Sequence, residues 1–566
     1  LLIFLKNWMR NMDQKTGGEL LVDALERHGA DRVFCVPGES YLAVLDALHD
    51  ASIPVTVCRQ EGGAAMMADA HGKLTGKPGI CMVTRGPGAT NASAGVHVAA
   101  QDSTPMILFI GQIERAMRER EAFQEVDYRQ MFGGIAKWVA EIDQADRVPE
   151  FISRAFHVAT SGRPGPVVLA LPEDMLVEAA TVAQPQAWQQ VETHPGLTQM
   201  AELQKRLWAA ERPIAILGGS RWSEDAVAAF TRFAERFDLP VACSFRRQML
   251  FDNLHPNYAG DVGIGISPKL LARIKASDLV LLVGGRLSEM PSQSYSLLEI
   301  PASDQQLVHI HPDPEELGRV YRADLAINAS PTAFCKAVEG LQPPVEIRGA
   351  GEAARAHEDY LVWSGARPET PGPLQMAAVM DWLEANLPED TICTNGAGNY
   401  ATWLHRFHRF RRYGTQAAPT SGSMGYGLPA AVAAKLAFPE REVICFAGDG
   451  CLQMTMQEFG TACQEGANII VLAIDNGMYG TIRMHQERTY PGRPSATKLV
   501  NPDFAALART YGAFGATVET TEDFGPAYAA ARASGKPAIL HMKLDPEAIT
   551  PAASLSQIRA AAQAKQ

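Results

Sequence analysis

The sequence predicts an α/β protein built from three successive parallel-sheet domains. Three observations lead there. At 566 residues the chain is too long for one hydrophobic core. Short apolar runs alternate with stretches of helical periodicity, the pattern of parallel strands joined by crossover helices. Two polar breaks, 178–195 and 341–373, cut that alternation into blocks of similar length. The expected domains span 12–177, 196–340 and 374–549.

In the first block, "GGELLVDALERHGAD" sets Leu20, Leu21, Ala24, Leu25 and His28 at helical spacing, with Gly29 as the stop. "RVFCV" then reads as a buried strand ending at Pro37-Gly38. The alternation recurs through "PVTVCRQEGG", "GICMVTRGPG" and "MILFIGQ", and the block closes near "GPVVLALPEDM". The second block offers the strands "IAILGG", "DLVLLVGG" and "LVHIHPDP"; the third offers "TICTNG", "EVICFAGDG", "NIIVLAIDN" and "PAILHMKL". The break at 178–195 lacks periodicity, and 341–373 is rich in Pro, Gly and charge, so both read as linkers.

Composition narrows the function class. A hydrophobic content of 46%, with 20% charged residues, is that of a soluble globular enzyme. A net charge of −12 argues against nucleic-acid binding, which calls for a basic surface. The nine cysteines form no CxxC pair and no Cys/His cluster, pointing to reduced thiols and a cytoplasmic location. Residues 1–11 read as an upstream extension, with an apolar run too short for a membrane span and no A-x-A cleavage site.

The chemistry concentrates in the third block. Asp449 stands between Gly448 and Gly450 at the end of an apolar strand, and Asn476 ends the next apolar run, 476 − 449 = 27 residues on. That interval fits strand, helix, strand. Two adjacent parallel strands would bring both side chains to one carboxyl edge, where open α/β sheets bind ligands. A carboxylate and an amide oxygen suit Mg²⁺. Glycines 448, 450, 477 and 480 would let phosphates approach the backbone. An Asp-Gly turn alone is the plain alternative for the GDG run, and the Asn at this interval makes it the weaker one.

The run from Gly448 to Asn476 resembles the thiamin-diphosphate signature GDGx(24–27)N. "VTVCRQEGGAAMMADAHGKLTGKPG", "VTRGPGATN", "AFQEVD", "SGRPGPV", "NGAGNYATWLH", "TSGSMGYGLPAA" and "DNGMYG" resemble segments of the acetohydroxyacid synthase family. The resemblance extends from about Gly17 to about Leu544. It implies pyrimidine-binding, central and diphosphate-binding domains, with Glu61 as the glutamate that activates the cofactor. It implies Asp449, Asn476 and the Met478 carbonyl as metal ligands, Gly422 as the carbonyl receiving the cofactor's amino group, and Met424 as the wedge between its two rings. Ala397, Gly398, Asn399, Tyr400, Gly448, Gly450, Cys451, Tyr479 and Gly480 fall at the remaining cofactor positions. The family usually has Gln-His where Asn399-Tyr400 stand and Ser where Cys451 stands. Active sites at a dimer interface are implied, in a homodimer or homotetramer.

The implied activity is decarboxylation of a 2-oxo acid followed by carboligation. Phe123 and Gln124 match the acetolactate-forming enzymes, and Gln124 would line the substrate pocket. Glu173 replaces their usual Lys, His485 stands in place of a channel Trp, and Glu39 stands where they have Gly. Glu39 is expected to be buried near the reacting carbon and to handle protons there, the alternative being a solvated turn acid. A 2-oxo acid decarboxylase, or a C–C lyase or hydrolase, with the same cofactor and no carboligation is the other reading. Arg163 and Arg286 resemble FAD-contacting positions of the anabolic synthases, but Asp261-Val262 departs from their Met-His loop and tips the balance slightly against FAD.

Overall fold

The computed structural model describes residues 14–183 and 186–565, so the extension at 1–11 lies outside the described residues. The chain divides into two compact units, Leu1–Val191 and Glu192–Gln566.

The first unit holds a six-stranded sheet of β1 (Val33–Cys35), β2 (Val55–Val57), β3 (Gly79–Val83), β4 (Met106–Gln112), β5 (Trp138–Glu141) and β6 (Pro166–Pro172). Its spatial order is β2-β1-β3-β4-β6-β5, and every pairing is parallel. Helix α1 (Gly17–Arg27) starts in a capping box: Thr16 Oγ1 accepts the Glu19 N–H, and Glu19 accepts the Thr16 N–H at 2.6 Å. Such a cap stabilises a helix by ~1 kcal/mol. The helix buries Leu20, Leu21, Ala24 and Leu25 and ends before Gly29, whose φ of 76° is left-handed. Helices α2 (Glu61–Thr75) and α3 (Pro87–Asp102) are rich in small residues, which allows their backbones to approach. A Cβ on Gly95 would lie 2.4 Å from that of Ala65.

The second unit carries two further six-stranded parallel sheets. One contains β7 (Pro213–Leu217), β8 (Val241–Ser244), β9 (Tyr258–Val262), β10 (Leu279–Val283), β11 (Gln306–His311) and β12 (Leu325–Asn328), in the order β9-β8-β7-β10-β11-β12. The other contains β13 (Ile392–Asn395), β14 (Gln416–Ala417), β15 (Val443–Gly448), β16 (Ile470–Asp475), β17 (Phe514–Val518) and β18 (Ala538–Lys543), ordered β14-β13-β15-β16-β18-β17. Asn253 and Phe410 join the two by exchanging a pair of hydrogen bonds, at 2.9 and 3.0 Å.

Two expectations are corrected. The stretch 341–373 is not simply a linker: it contains helix α4 (Glu352–Gly365). Ala353, Ala356, Tyr360 and Ser364 recur at intervals of three and four and are buried, and the Tyr360 ring meets Tyr258 edge-on at 4.7 Å. Charged residues on the other face hid that periodicity. The stretch 178–195 is not a free linker either: residues on both sides of the unit boundary are bonded, Ala179, Ala180 and Trp188 within the first unit and Glu192 within the second. Ala179–Ala180 pairs antiparallel with Lys15–Thr16, and the Trp188 indole donates to the His28 carbonyl at 3.0 Å.

All nine cysteines are free, eight of them buried. Among the described residues no helix is long and apolar enough to cross a membrane.

Candidate active site

The third sheet gathers its polar residues at one edge. β13, β15 and β16 lie side by side, with Gly448 in register with Ile474. Asp449 therefore follows β15 at the level of Asp475, one residue before Asn476, and both Asp449 and Asn476 line the same cavity. Residues 396–400 leave the neighbouring β13, and the loop after β14 brings Gly422 and Met424 to the same edge. All fourteen residues expected at the cofactor line one cavity of about 270 Å³.

Asp449 opens the short helix α5 (Asp449–Gln453) and is 3% exposed. Burial pushes its carboxyl up to about 6, against hydrogen bonds from the Asn501 amide at 2.7 Å and the Gly450 N–H at 2.8 Å. The same Asn501 nitrogen reaches Asp475 at 2.6 Å and so ties the two carboxylates together. Burial works against the Asp475 carboxylate too, but His541, Lys543 and Asn501 outweigh it and hold its pKa well below the ordinary range. His541 accepts the Phe504 N–H at Nδ1, so Nε2 carries the proton donated to Asp475 at 2.8 Å. Asn501 and His541 were not anticipated from the sequence, since no motif surrounds either.

The glycines sit where backbone must meet side chain. A Cβ at Gly448 would lie 2.8 Å from the Tyr400 ring, and one at Gly450 would lie 2.6 Å from the Tyr479 ring. Gly422, at φ 71°, has open space where its Cβ would point. Met478 forms a bridge with Lys498 through the flanking groups: Tyr479 N–H to Thr497 and Leu499 N–H to the Gly477 carbonyl. Asn399 is held by Thr481, which accepts its N–H and donates to its Oδ1, each at 3.0 Å. Helix α6 (Gly480–Thr489) carries His485 on an exposed face.

Three family models cover most of the chain. They are the N-terminal TPP binding, central and C-terminal TPP binding domains of thiamine pyrophosphate enzymes, at 15–131, 200–338 and 396–542. The chain belongs to the thiamine pyrophosphate enzyme family. An acetolactate synthase large subunit of Parasynechococcus marenigrum is 33% identical over 546 residues, covering 93% of this chain and 87% of that one. An acetolactate synthase of Mycobacterium bovis is 30% identical, covering 90% and 85%. The Escherichia coli isozyme 2 large subunit is 29% identical, covering 94% and 95%.

In this thiamine pyrophosphate enzyme the first unit presents a second polar edge. Glu61 starts α2 after β2 and accepts from the Asn91 amide at 2.9 Å. Gln124 lies beyond β4 at φ 65°, with its Oε1 buried and without a hydrogen-bond partner among the described residues. Gly86 packs against it, so that a Cβ there would lie 2.8 Å from that of Gln124. Glu39 has a side chain 62% exposed in the single chain, as the solvated alternative has it. It faces Arg85, which also pairs with Glu173.

The carboxyl-edge glycines of the central sheet are packed and capped by the chain itself. A Cβ on Gly219 would lie 1.9 Å from the Gly284 carbonyl oxygen, and Trp222 and Arg247 donate to the Gly218 and Gly219 carbonyls. Phe245 fills the space beside Gly263, and the Asp261 carboxyl is raised to about 7 by burial, with Arg246 opposing. Arg163 holds Ser103 and the Ala100 carbonyl at the end of α3.

Proposed function

We propose that this protein decarboxylates a 2-oxo acid and joins the remaining acyl unit to an acceptor, as an acetolactate synthase-like enzyme. The observation that carries the reading is the convergence of Asp449 and Asn476, from neighbouring parallel strands, on one glycine-lined cavity. The names of the relatives point the same way.

The donor set fits the cofactor's diphosphate end with Mg²⁺. A buried carboxylate whose pKa is driven up by desolvation gains from a divalent cation beside it. Asp449, Asn476 and the Met478 carbonyl would hold that ion, and Gly448, Gly450 and Gly480 would let the diphosphate reach the backbone. The Gly422 carbonyl and the Met424 side chain would fix the bend of the cofactor. Once bound, thiamin diphosphate supplies a nucleophilic carbon and a sink for the electron pair left as CO₂ departs.

The chain's own tasks are positioning and proton handling. Glu61, oriented by Asn91, would hold a proton at the aminopyrimidine ring. Gln124 would offer its unpartnered Oε1 to the substrate. Glu39 would act on the substrate side as a carboxylate facing Arg85. Glu61 and Asp449 belong to different units, and we assign them to one active site shared between two copies in a homodimer or homotetramer. This reading does not call on FAD.

A panel of 2-oxo acids, with added Mg²⁺ and thiamin diphosphate, tests the proposal. CO₂ release with a carboligated product is expected. Aldehyde as the sole product would support a simple decarboxylase, and no CO₂ from any 2-oxo acid would refute the reading.

A further inference from the structure

Glu39, Arg85 and Glu173 are far apart in sequence and leave the sheet after β1, β3 and β6, at the edge that also carries Glu61 and Gln124. Arg85 is the centre of the group, with a side chain only 10% exposed. Its Nη1 donates to Glu173 Oε2 at 3.0 Å, and that pairing accounts for one side of the guanidinium. The other side is the Nε/Nη2 edge, which can donate two parallel hydrogen bonds to a carboxylate. Nε is buried with no hydrogen-bond partner among the described residues. Nη2 has Glu39 Oε1 at 3.7 Å, an ion pair beyond hydrogen-bond reach.

A buried guanidinium N–H left without a hydrogen bond, as Nε is, is costly. An arginine kept there for structure alone would draw its second carboxylate to bonding distance and bury it. Within the single chain Glu39 does neither: its carboxylate stands 3.7 Å from Nη2 and its side chain is 62% exposed. We propose that the Nε/Nη2 edge of Arg85 binds the carboxylate of the substrate, and that Glu39 is a loose occupant which the substrate displaces. Glu173 keeps Arg85 oriented and takes up part of its charge, so an uncharged substrate gains little from this site. The inference rests on the reading of a 2-oxo acid substrate and names the group that recognises it.

Oxamate, a pyruvate isostere that carries the carboxylate but undergoes no decarboxylation, is the probe, with neutral oxamide as its control. Binding is measured by calorimetry on holoenzyme loaded with Mg²⁺ and thiamin diphosphate. R85Q should weaken oxamate by ~10- to 100-fold, as expected for charge-assisted hydrogen bonds. R85K keeps the ion pair with Glu173 but lacks the fork; it should also lose about 10-fold, and it decides the matter if R85Q does not fold. E39Q should tighten oxamate by roughly twofold to fivefold by removing an exposed competitor. Oxamide should not discriminate among these proteins. Equal oxamate affinity in wild type and R85K overturns the proposal, as does a folded wild-type holoenzyme that binds no oxamate. If oxamate binds through Arg85 while no 2-oxo acid yields CO₂, the carboxylate site stands and the catalytic reading falls.

Discussion

The Tyr400 hydroxyl donates to Cys451 Sγ at 3.1 Å, and the Gly425 N–H reaches the same sulfur at 3.1 Å. These two side chains are separate departures from the family pattern in the sequence, yet in the fold they are one contact. The thiol is engaged with two loops of the site, and burial raises its pKa further above that of a free cysteine. Cys451→Ser keeps an acceptor for both donors, so cofactor affinity should change less than about threefold. Tyr400→Phe removes one of the two donors to Sγ, leaves the Gly396 N–H without its acceptor and should cost ~1 kcal/mol of stability. Thermal melts and cofactor titration of the two variants check this; a larger loss from Cys451→Ser would contradict it.

Gly480 touches the proposed metal site from behind. A Cβ there would lie 3.0 Å from Asn476 Nδ2 and 2.8 Å from Ile549. Gly480→Ala should displace the Asn476 amide and raise the Mg²⁺ concentration for half-activation by roughly 10-fold or more. A metal titration at saturating cofactor reads the shift, and an unchanged midpoint would remove Asn476 from the ligand set.

Asp261 gives stability a pH dependence of known sign. Its folded pKa, about 7, lies above the ~3.9 of an unfolded aspartate. The folded form thus prefers the proton, so this residue's contribution is intact below ~4 and falls as pH rises through about 7. Asp261→Asn should be the more stable protein at pH 8, by on the order of 2–4 kcal/mol, with the gap closing toward pH 4. Denaturant melts at several pH values test it; a gap that widens toward acid would reverse the sign.

Glu61→Gln should lower kcat by about 100-fold or more while cofactor still binds. Asp449→Asn should fail at the cofactor instead. If these residues serve one site from two copies, mixing the inactive variants during refolding or co-expression should restore roughly a quarter of wild-type activity by random pairing. Activity assays on the mixture, against each parent alone, distinguish this from sites contained within one chain.

Strands were legible where an apolar run had to be buried on both faces, as in "NIIVLAI" and "MILFIGQ". In the three six-stranded sheets, the strands that sequence patterning missed are, apart from Val241–Ser244, edge strands: Trp138–Glu141, Tyr258–Val262, Leu325–Asn328, Gln416–Ala417 and Phe514–Val518. An edge strand pairs on one side only and tolerates Gly, Asp, Gln or Thr, so its composition carries little signal. The cofactor residues could be read because each lies in a compact motif at the end of a strand. Asn501 could not, since its role arises from a contact with Asp449 across 52 residues. Arg85 sat in view inside "VTRGPGATN", but only the fold brings Glu39 and Glu173 to it.

Helix α4, within the stretch that reads as a linker, lies along β9, the outermost strand of the central sheet. His357 places its ring nitrogen 2.9 Å from the Tyr258 carbonyl, and Tyr360 covers the Tyr258 ring. An uncovered outer strand is a template for pairing with other chains. The helix shields that edge from non-native pairing, and trading residues 341–373 for a flexible spacer should raise light scattering at a fixed protein concentration.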